Sequence, residues 1–207
     1  MTNMDYIIRK ARESDNLNIA RTLVHSFEKV ISVLTKDMEG ASKIFENGIA
    51  TDRFYVAEQN DKIIGAIACG DCTGRVIGIT KEDCKKYLGL IRGTVAFKLL
   101  SLNLMRPLSY PVTTGYIEVV GVLKQARGQG VAKKMLQEVI KNNTKYNEFI
   151  LEVDSINPSA IKSYTDSGFV EFKRVPVVKF FKRSRIFMKC ECDLDHSPPF
   201  GLSERGT

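Results

Sequence analysis

Apolar positions in the first 70 residues alternate in some segments and recur with helical spacing in others. The run "YIIRKARE" has the pattern of a strand, and Ser14 or Asp15 after it can cap a helix. The apolar positions of that helix are Ile19, Leu23, Val24 and Phe27. A second helical region is predicted in "KDMEGASKIFENGI". In "RFYVAEQNDKIIGAIACGD" two strand-like runs meet at turn-forming residues, which predicts a hairpin.

Strand and helix patterns also alternate in the C-terminal half of the chain. "TGYIEVVGVLK" predicts a strand, "VAKKMLQEVIKNN" an amphipathic helix and "NEFILEVDS" a buried strand. The run "PSAIKSYTDSGF" predicts a short helix closed by Gly168, and "VEFKRVPVVKFFKRSRIFMKCE" predicts a final pair of strands. From Cys190 onward the composition is that of a tail. A single domain over residues 1–190 and a tail over 191–207 are therefore predicted.

Residues 72–113 form a segment that fits this alternation less well. It predicts one or two helices, the second strongly apolar and ending before Pro107. The segment is too short and too interrupted to span a bilayer. Packing as a wall or lid of the domain is the main interpretation. Lining a pocket for an apolar substrate and contact with a membrane surface are the alternatives.

Composition is that of a globular protein, with 207 residues, 43% of them hydrophobic and 27% charged. There is no apolar run of the roughly 18 residues that a membrane span requires, and the N-terminus lacks the apolar region of a signal peptide. Five cysteines, an odd number, favour free thiols in a reducing compartment. Together these features predict a cytoplasmic protein. The Cys69/Cys72 and Cys190/Cys192 spacings do not make a convincing metal site, so no metal is predicted.

The net charge is +7, with a local excess of basic residues in "FKRVPVVKFFKRSR". A solvated strand pair is the simpler interpretation, and an anion-binding face is the alternative. The sequence lacks the aromatic motif of RNA-binding sheets, a helix-turn-helix signature and paired zinc-ligand spacing. Nucleic acid is therefore not the predicted partner.

In the stretch "ARGQGVAKKML", two glycines stand where a strand pattern gives way to a helix pattern. A helix N-terminus presents free N–H groups and a partial positive charge, and glycine lets an anion approach them closely. The P-loop spacing does not occur, and the third glycine of a Rossmann fingerprint is missing. The stretch is thus a candidate pyrophosphate cradle, with a purely structural turn as the alternative.

Two motifs carry a resemblance to a known family. Residues 127–132, "RGQGVA", fit the pattern R/Q-x-x-G-x-G/A, and residues 157–169, "NPSAIKSYTDSGF", fit N-x-x-A-x-x-x-Y-x-x-x-G-F. Together they resemble the GCN5-related N-acetyltransferase (GNAT) superfamily over about residues 6–190. The resemblance implies an α/β (α+β) fold with a central, mixed, mostly antiparallel twisted sheet flanked by helices. The helical insertion at 72–113 is longer than the family's usual link, so the resemblance does not determine the acceptor-binding side of the site.

The same resemblance implies acetyl-CoA as cosubstrate. The backbone of Val120, Gly121 and Val122 would pair with the pantetheine arm. The pyrophosphate would be held by the amides of Arg127, Gly128, Gln129, Gly130, Val131 and Ala132. Asn157 would hydrogen-bond the pantetheine or a bridging water, and Tyr164 would be the general acid that protonates the leaving thiolate. A packed aromatic is the alternative for Tyr164.

Acetyl transfer to an amine also needs a base, because an ammonium with a pKa near ~10 is mostly unreactive at neutral pH. Glu118 is the candidate, four residues before Val122 on the strand that precedes the glycine turn. The alternative is an exposed strand carboxylate. Tyr116, two residues earlier on the same face, is a second candidate. His25 is interpreted as a helix-face residue, and His196 lies in the tail.

The predicted function is N-acetyl transfer from acetyl-CoA to a primary amine by direct attack in a ternary complex. A small-molecule amine is favoured because the apolar insertion could wall the acceptor cleft, whereas an open cleft would favour a peptide. A protein or peptide acceptor (N-terminus or lysine) is one alternative. A non-catalytic acetyl-CoA sensor and a nucleic-acid binder that uses the basic strand pair are two others. The resemblance also suggests a homodimer.

Overall fold

The computed structural model describes residues 5–178 and 183–192, and the predicted tail falls outside this part beyond Cys192. Seven strands in the described part form one sheet in the order β1-β2-β3-β4-β5-β7-β6. They are β1 (Ile7–Lys10), β2 (Phe54–Gln59), β3 (Lys62–Gly70), β4 (Thr114–Val122), β5 (Glu148–Asp154), β6 (Val170–Val178) and β7 (Arg183–Glu191). Only β4 and β5 pair in parallel. The predicted mixed, mostly antiparallel sheet is confirmed.

Helices in the described residues connect and cover these strands. They are α1 (Asn16–Ser26), α2 (Glu28–Ile31), α3 (Met38–Glu46), α4 (Lys81–Leu88), α5 (Leu90–Leu104), α6 (Val131–Asn142) and α7 (Pro158–Thr165). Alternate residues of β2 show that the helices lie on both faces of the sheet. Phe54 and Val56 pack in the cluster that contains the α1 residue Ile19, whereas Tyr55 packs in the cluster of the α6 residue Met135.

The β2–β3 hairpin forms where the sequence predicts it. Asn60 and Asp61 have φ angles of 48° and 59°. Two successive positive φ angles are typical of the tight hairpin turn whose twist matches that of the strands, and Asn and Asp tolerate this conformation. The turn therefore fixes the register of β3, the strand that pairs with β4.

Strands β4 and β5 pair only over the first part of β4. Their parallel register runs from Thr114 opposite Glu148 to Ile117 opposite Leu151. Beyond that point β4 continues to Val122 paired with β3 alone, while β5 continues to Asp154 paired with β7. The backbone of residues 118–122 consequently has no strand on its β5 side and can bond an extended ligand.

The 72–113 segment contains α4 and α5, so its predicted helices are confirmed. Gly93 brings the two helices together, since a Cβ at this position would lie 2.3 Å from the carbonyl oxygen of Cys84. The inner side of α5 packs on a cluster that includes Ile44, Ile79 and Cys84. The segment is thus anchored to the domain through α3.

Two details of α1 differ from the sequence prediction. Neither Ser14 nor Asp15 caps it by a side-chain hydrogen bond. The Asp15 carboxylate instead accepts the Arg12 amide and pairs with Arg9 at 2.7 Å, because the guanidinium is a stronger partner than a helix amide. Phe27 lies just beyond the helix end and is 39% exposed, so it is not part of the buried stripe.

Candidate active site

The glycine turn between β4 and α6 leaves a row of unpaired amides. Gly128 and Gly130 both have φ of +76°, and α6 begins at Val131. Among described residues, the N–H groups of residues 128–133 donate to no protein acceptor. A Cβ built on either glycine would meet no atom within 4 Å, so the space beside these amides is open. This arrangement suits an anion at the helix N-terminus.

Arg127 ties this turn to the neighbouring elements. Its Nε donates to the Val122 carbonyl at 2.9 Å, and its Nη2 donates to the Ser26 carbonyl at 2.9 Å. These bonds connect the turn to the ends of β4 and α1. The guanidinium therefore positions the turn, in addition to the backbone role predicted for this residue.

The open edge of β4 lies against the end of α1. Gly121 permits this approach, since a Cβ there would be 2.8 Å from Leu23 Cδ2 and 3.2 Å from Ser26 Oγ. Ser26 Oγ is buried and has no hydrogen-bond partner within the described part of the chain. An unsatisfied buried hydroxyl beside an unpaired strand edge fits a polar ligand that runs along residues 120–122.

Glu118 sits at a bulge of β4. Ile117 lies opposite Cys69 and Val119 opposite Ala68, so Glu118 is the extra residue. Its side chain is only 5% exposed and lies 2.5 Å from Arg75 Nε. It also accepts the Val76 amide at 3.1 Å. The structure therefore rules out the exposed strand carboxylate.

Burial raises the pKa of Glu118 above its ordinary value, and the Arg75 guanidinium and the Val76 amide oppose this rise. A carboxylate with a raised pKa is a better proton acceptor than an exposed one, provided that it is ionised at the working pH. The role of Glu118 as the base stays a prediction.

Tyr116 belongs to a second polar cluster nearby. Its hydroxyl donates to Glu152 Oε1 on β5 at 2.6 Å, and Arg185 of β7 lies 3.2 Å from the other Glu152 oxygen. Tyr110 stacks on the Tyr116 ring with centroids 5.5 Å apart. Burial and the Glu152 carboxylate raise the pKa of Tyr116 well above its usual range. Tyr116 is therefore a donor that orients Glu152.

Tyr164 on α7 is buried in the same cluster as Val120 and Val122 of β4. Its ring lies near Phe169, with centroids 6.4 Å apart. Within the described residues its hydroxyl has no hydrogen-bond partner. Burial raises the pKa of Tyr164 to about 12. The phenol is thus protonated at neutral pH and free to donate.

Asn157 begins α7 as its N-cap. Its Oδ1 accepts the Ala160 amide at 3.2 Å and the Ser159 hydroxyl at 3.0 Å. The motif asparagine therefore has a local helix-capping role. A contact of its side-chain NH₂ with pantetheine stays a prediction.

A cleft of about 740 Å³ is lined by Tyr116, Glu118 and Glu152, whereas Asn157, Tyr164 and the glycine turn are not among its lining residues. The end of α5 and the loop after it form one wall of this cleft. Three carboxylates line the cleft, each paired with an arginine: Glu118 with Arg75, Glu152 with Arg185 and Asp154 with Arg183. Arg106 and Lys173 add further positive charge.

Sequence reasoning missed Arg75, Glu152 and Arg185. No local motif marks them, because they reach the site through pairings 33 to 43 residues distant in sequence. In residues 5–178 and 183–192, no group of three or more His, Cys, Asp or Glu side chains is arranged to hold a metal ion. No helix of that part is long and apolar enough to cross a membrane.

An open mixed sheet, a parallel strand pair that separates, and free amides at a glycine turn together define a coenzyme-binding transferase fold. Residues 23–169 match the model described as the Acetyltransferase (GNAT) family, and the chain belongs to this family. The predicted family and fold are confirmed.

One curated relative and two solved structures illustrate the similarity. N-alpha-acetyltransferase 30 of Schizosaccharomyces pombe (strain 972 / ATCC 24843) is 30% identical over 124 residues. The match covers 58% of this chain and 59% of the relative, less than two thirds of its length.

The yncA protein of Salmonella typhimurium, solved with its cofactor acetyl-CoA, has a TM-score of 0.59 and 18% identity, and the match covers 93% of this chain and 97% of that one. A chain of the NatC complex bound to Gag peptide and CoA has a TM-score of 0.55 and 16% identity, with 92% and 100% covered. At these identities the two structures show the shared fold.

Proposed function

We propose that the protein is an acetyl-CoA-dependent N-acetyltransferase whose acceptor is the α-amino group of a peptide or protein. The cleft beside Glu118 carries this proposal, because it opens to solvent and would admit the residues that follow a peptide N-terminus. The similarity to an N-alpha-acetyltransferase supports it. The proposal thus takes up the peptide alternative; the small-molecule amine favoured from sequence is untested.

The residues present fit acetyl-CoA. The free amides of residues 128–133 would hold the pyrophosphate, and the open β4 edge at Val120–Val122 would pair with the pantetheine arm. Bound there, the coenzyme supplies an activated acetyl thioester. No metal is needed for this chemistry.

Glu118 and Tyr164 divide the proton transfers in the proposed reaction. Glu118 accepts a proton from the acceptor ammonium, directly or through water, and so leaves a neutral amine that can attack. The Arg75 guanidinium opposes the effect of burial on the pKa of Glu118 and so favours its ionised form. Tyr164 donates its proton toward the sulfur that leaves. Glu118 lies on β4 and Tyr164 on α7.

Thiol release from acetyl-CoA tests the acceptor class. A panel would compare peptides with free N-termini, the same peptides with a blocked N-terminus and a free lysine, polyamines and small amines. We expect kcat/KM to be at least about 100-fold higher for the free α-amine, since the cleft would bind the following residues as well. Faster turnover of small amines, or of the blocked lysine peptides, would reject the N-terminal acceptor.

Glu118→Gln tests the base. The variant should lower kcat by about 100-fold or more, and the acidic limb of the pH profile should disappear because Gln does not titrate. In the unmodified enzyme the acidic limb should lie above the ordinary glutamate pKa, because burial raises the pKa of Glu118. Activity should be lost as the pH falls through this raised pKa.

Arg75→Gln is the comparison variant for Glu118. It removes the cation that favours ionised Glu118, so the acidic limb should move to higher pH and remain visible. If the acidic limb of the pH profile persists unchanged in Glu118→Gln, Glu118 serves only to hold Arg75, and another group is the base.

A further inference from the structure

Helix α5 exposes an apolar stripe on the side away from the domain. The side chains of Ile91, Val95, Leu99 and Leu102 recur at intervals of three or four residues, which places them on one helix face. Ile91 is 83% exposed and Leu102 is 67% exposed. The opposite side of α5, with Phe97 and Leu100, already packs on the α3–α4 cluster. The stripe therefore lies outside the hydrophobic core.

Positive charge surrounds this stripe. Arg92 and Lys98 are both exposed, and at 100° per residue they flank the apolar face on its two sides. From Cys84 to Ile117 the chain has five basic residues and no acidic one. An apolar face bordered by cations is the pattern of a helix that lies in a membrane interface.

We propose that α5 docks the protein on the surface of an anionic lipid bilayer. The apolar stripe would enter the boundary between headgroups and acyl chains, while Arg92 and Lys98 contact headgroup phosphates. A second copy is the less favourable occupant, because a two-fold contact through this face would bring the same cations together. The surface does not depend on the acceptor proposed above.

Docking there would also orient the acceptor cleft. Leu102, Leu104 and the loop after α5 line the cleft wall. A bilayer against the outer side of α5 would therefore lie next to the cleft mouth. Acceptors presented close to a membrane surface would be favoured over those in bulk solution.

Vesicle flotation of the full chain tests this proposal. We expect binding to vesicles of about three parts phosphatidylcholine to one part phosphatidylserine, weaker binding to phosphatidylcholine alone, and loss at high salt. Ile91→Ser with Val95→Ser should reduce binding at least about tenfold, because two exposed apolar contacts are removed. Arg92→Gln with Lys98→Gln should abolish the preference for anionic lipid.

Val30→Ser with Val33→Ser is the matched control. These valines are 64% and 83% exposed but lie near α2, so binding should not change. Thermal unfolding and thiol release without vesicles establish that each variant is folded. Failure to float at low salt, equal binding of the Ile91/Val95 variant, or equal binding to neutral vesicles would overturn the proposal. So would a dimer in light scattering that the Ile91/Val95 variant converts to monomer.

Discussion

Tyr164→Phe should lower kcat for acetyl transfer by about 100- to 1,000-fold while acetyl-CoA binding stays nearly unchanged. The hydroxyl is the only group that the substitution removes, and in the described part of the chain it bonds no other residue. Its loss should therefore leave packing against Phe169 intact and deprive the leaving sulfur of a proton donor. Steady-state kinetics and a calorimetric Kd for acetyl-CoA separate the two effects.

Tyr55→Phe is the matched control for this experiment. Tyr55 lies in the same buried cluster as Tyr164 and also loses one hydroxyl. The Tyr55→Phe enzyme should retain the kcat of the unmodified enzyme. A Tyr164→Phe enzyme within about threefold of the unmodified rate would make Tyr164 a packed aromatic. A protein that binds acetyl-CoA but releases no thiol with any acceptor would favour the sensor alternative.

The basic side of the pH profile offers an independent check on Tyr164. Burial raises its pKa to about 12, so the phenol should keep its proton throughout the range in which the protein is studied. Tyr164 should therefore cause no fall in kcat near pH 10, the ordinary pKa of tyrosine. If kcat of the unmodified enzyme falls near pH 10 and kcat of Tyr164→Phe does not, the Tyr164 hydroxyl is solvated during turnover.

The coenzyme side of the candidate site could be predicted because its signals are local. The amphipathic pattern of "VAKKMLQEVIKNN" places Val131, Met135, Leu136, Val139 and Ile140 on one face, and their burial fixes the orientation of α6. The glycine turn precedes that helix directly in sequence. Once the helix is oriented, the position of its free amides follows from helix geometry alone.

The acceptor side could not be predicted because its contacts join distant segments. Glu118 is buried by a bulge and by Arg75, which lies 43 residues away. The sequence of α5 likewise places apolar residues on all sides of the helix. The packing of Gly93 against Cys84, and of Phe97 and Leu100 on the α3–α4 cluster, decides which side faces inward and which remains exposed.

Gly130→Ala should weaken acetyl-CoA binding by about 10- to 100-fold. An L side chain at φ of +76° costs roughly 1–2 kcal/mol, and relaxation toward negative φ would rotate the amides at the start of α6 away from a bound anion. Each lost hydrogen bond to a charged group is worth about 1.5–3 kcal/mol, which gives the expected loss. Calorimetric titration with acetyl-CoA measures it.

Gly89→Ala separates anion binding from backbone strain. Gly89 also has a positive φ, +81°, and no atom within 4 Å of a built Cβ. Its ψ of 165° belongs to a region that glycine alone adopts readily, so the strain should be no smaller than at Gly130. Gly89→Ala should therefore lower the Tm at least as much and leave the Kd for acetyl-CoA unchanged. Equal losses of affinity in both variants would mean that the glycine turn acts through stability and not as the pyrophosphate site.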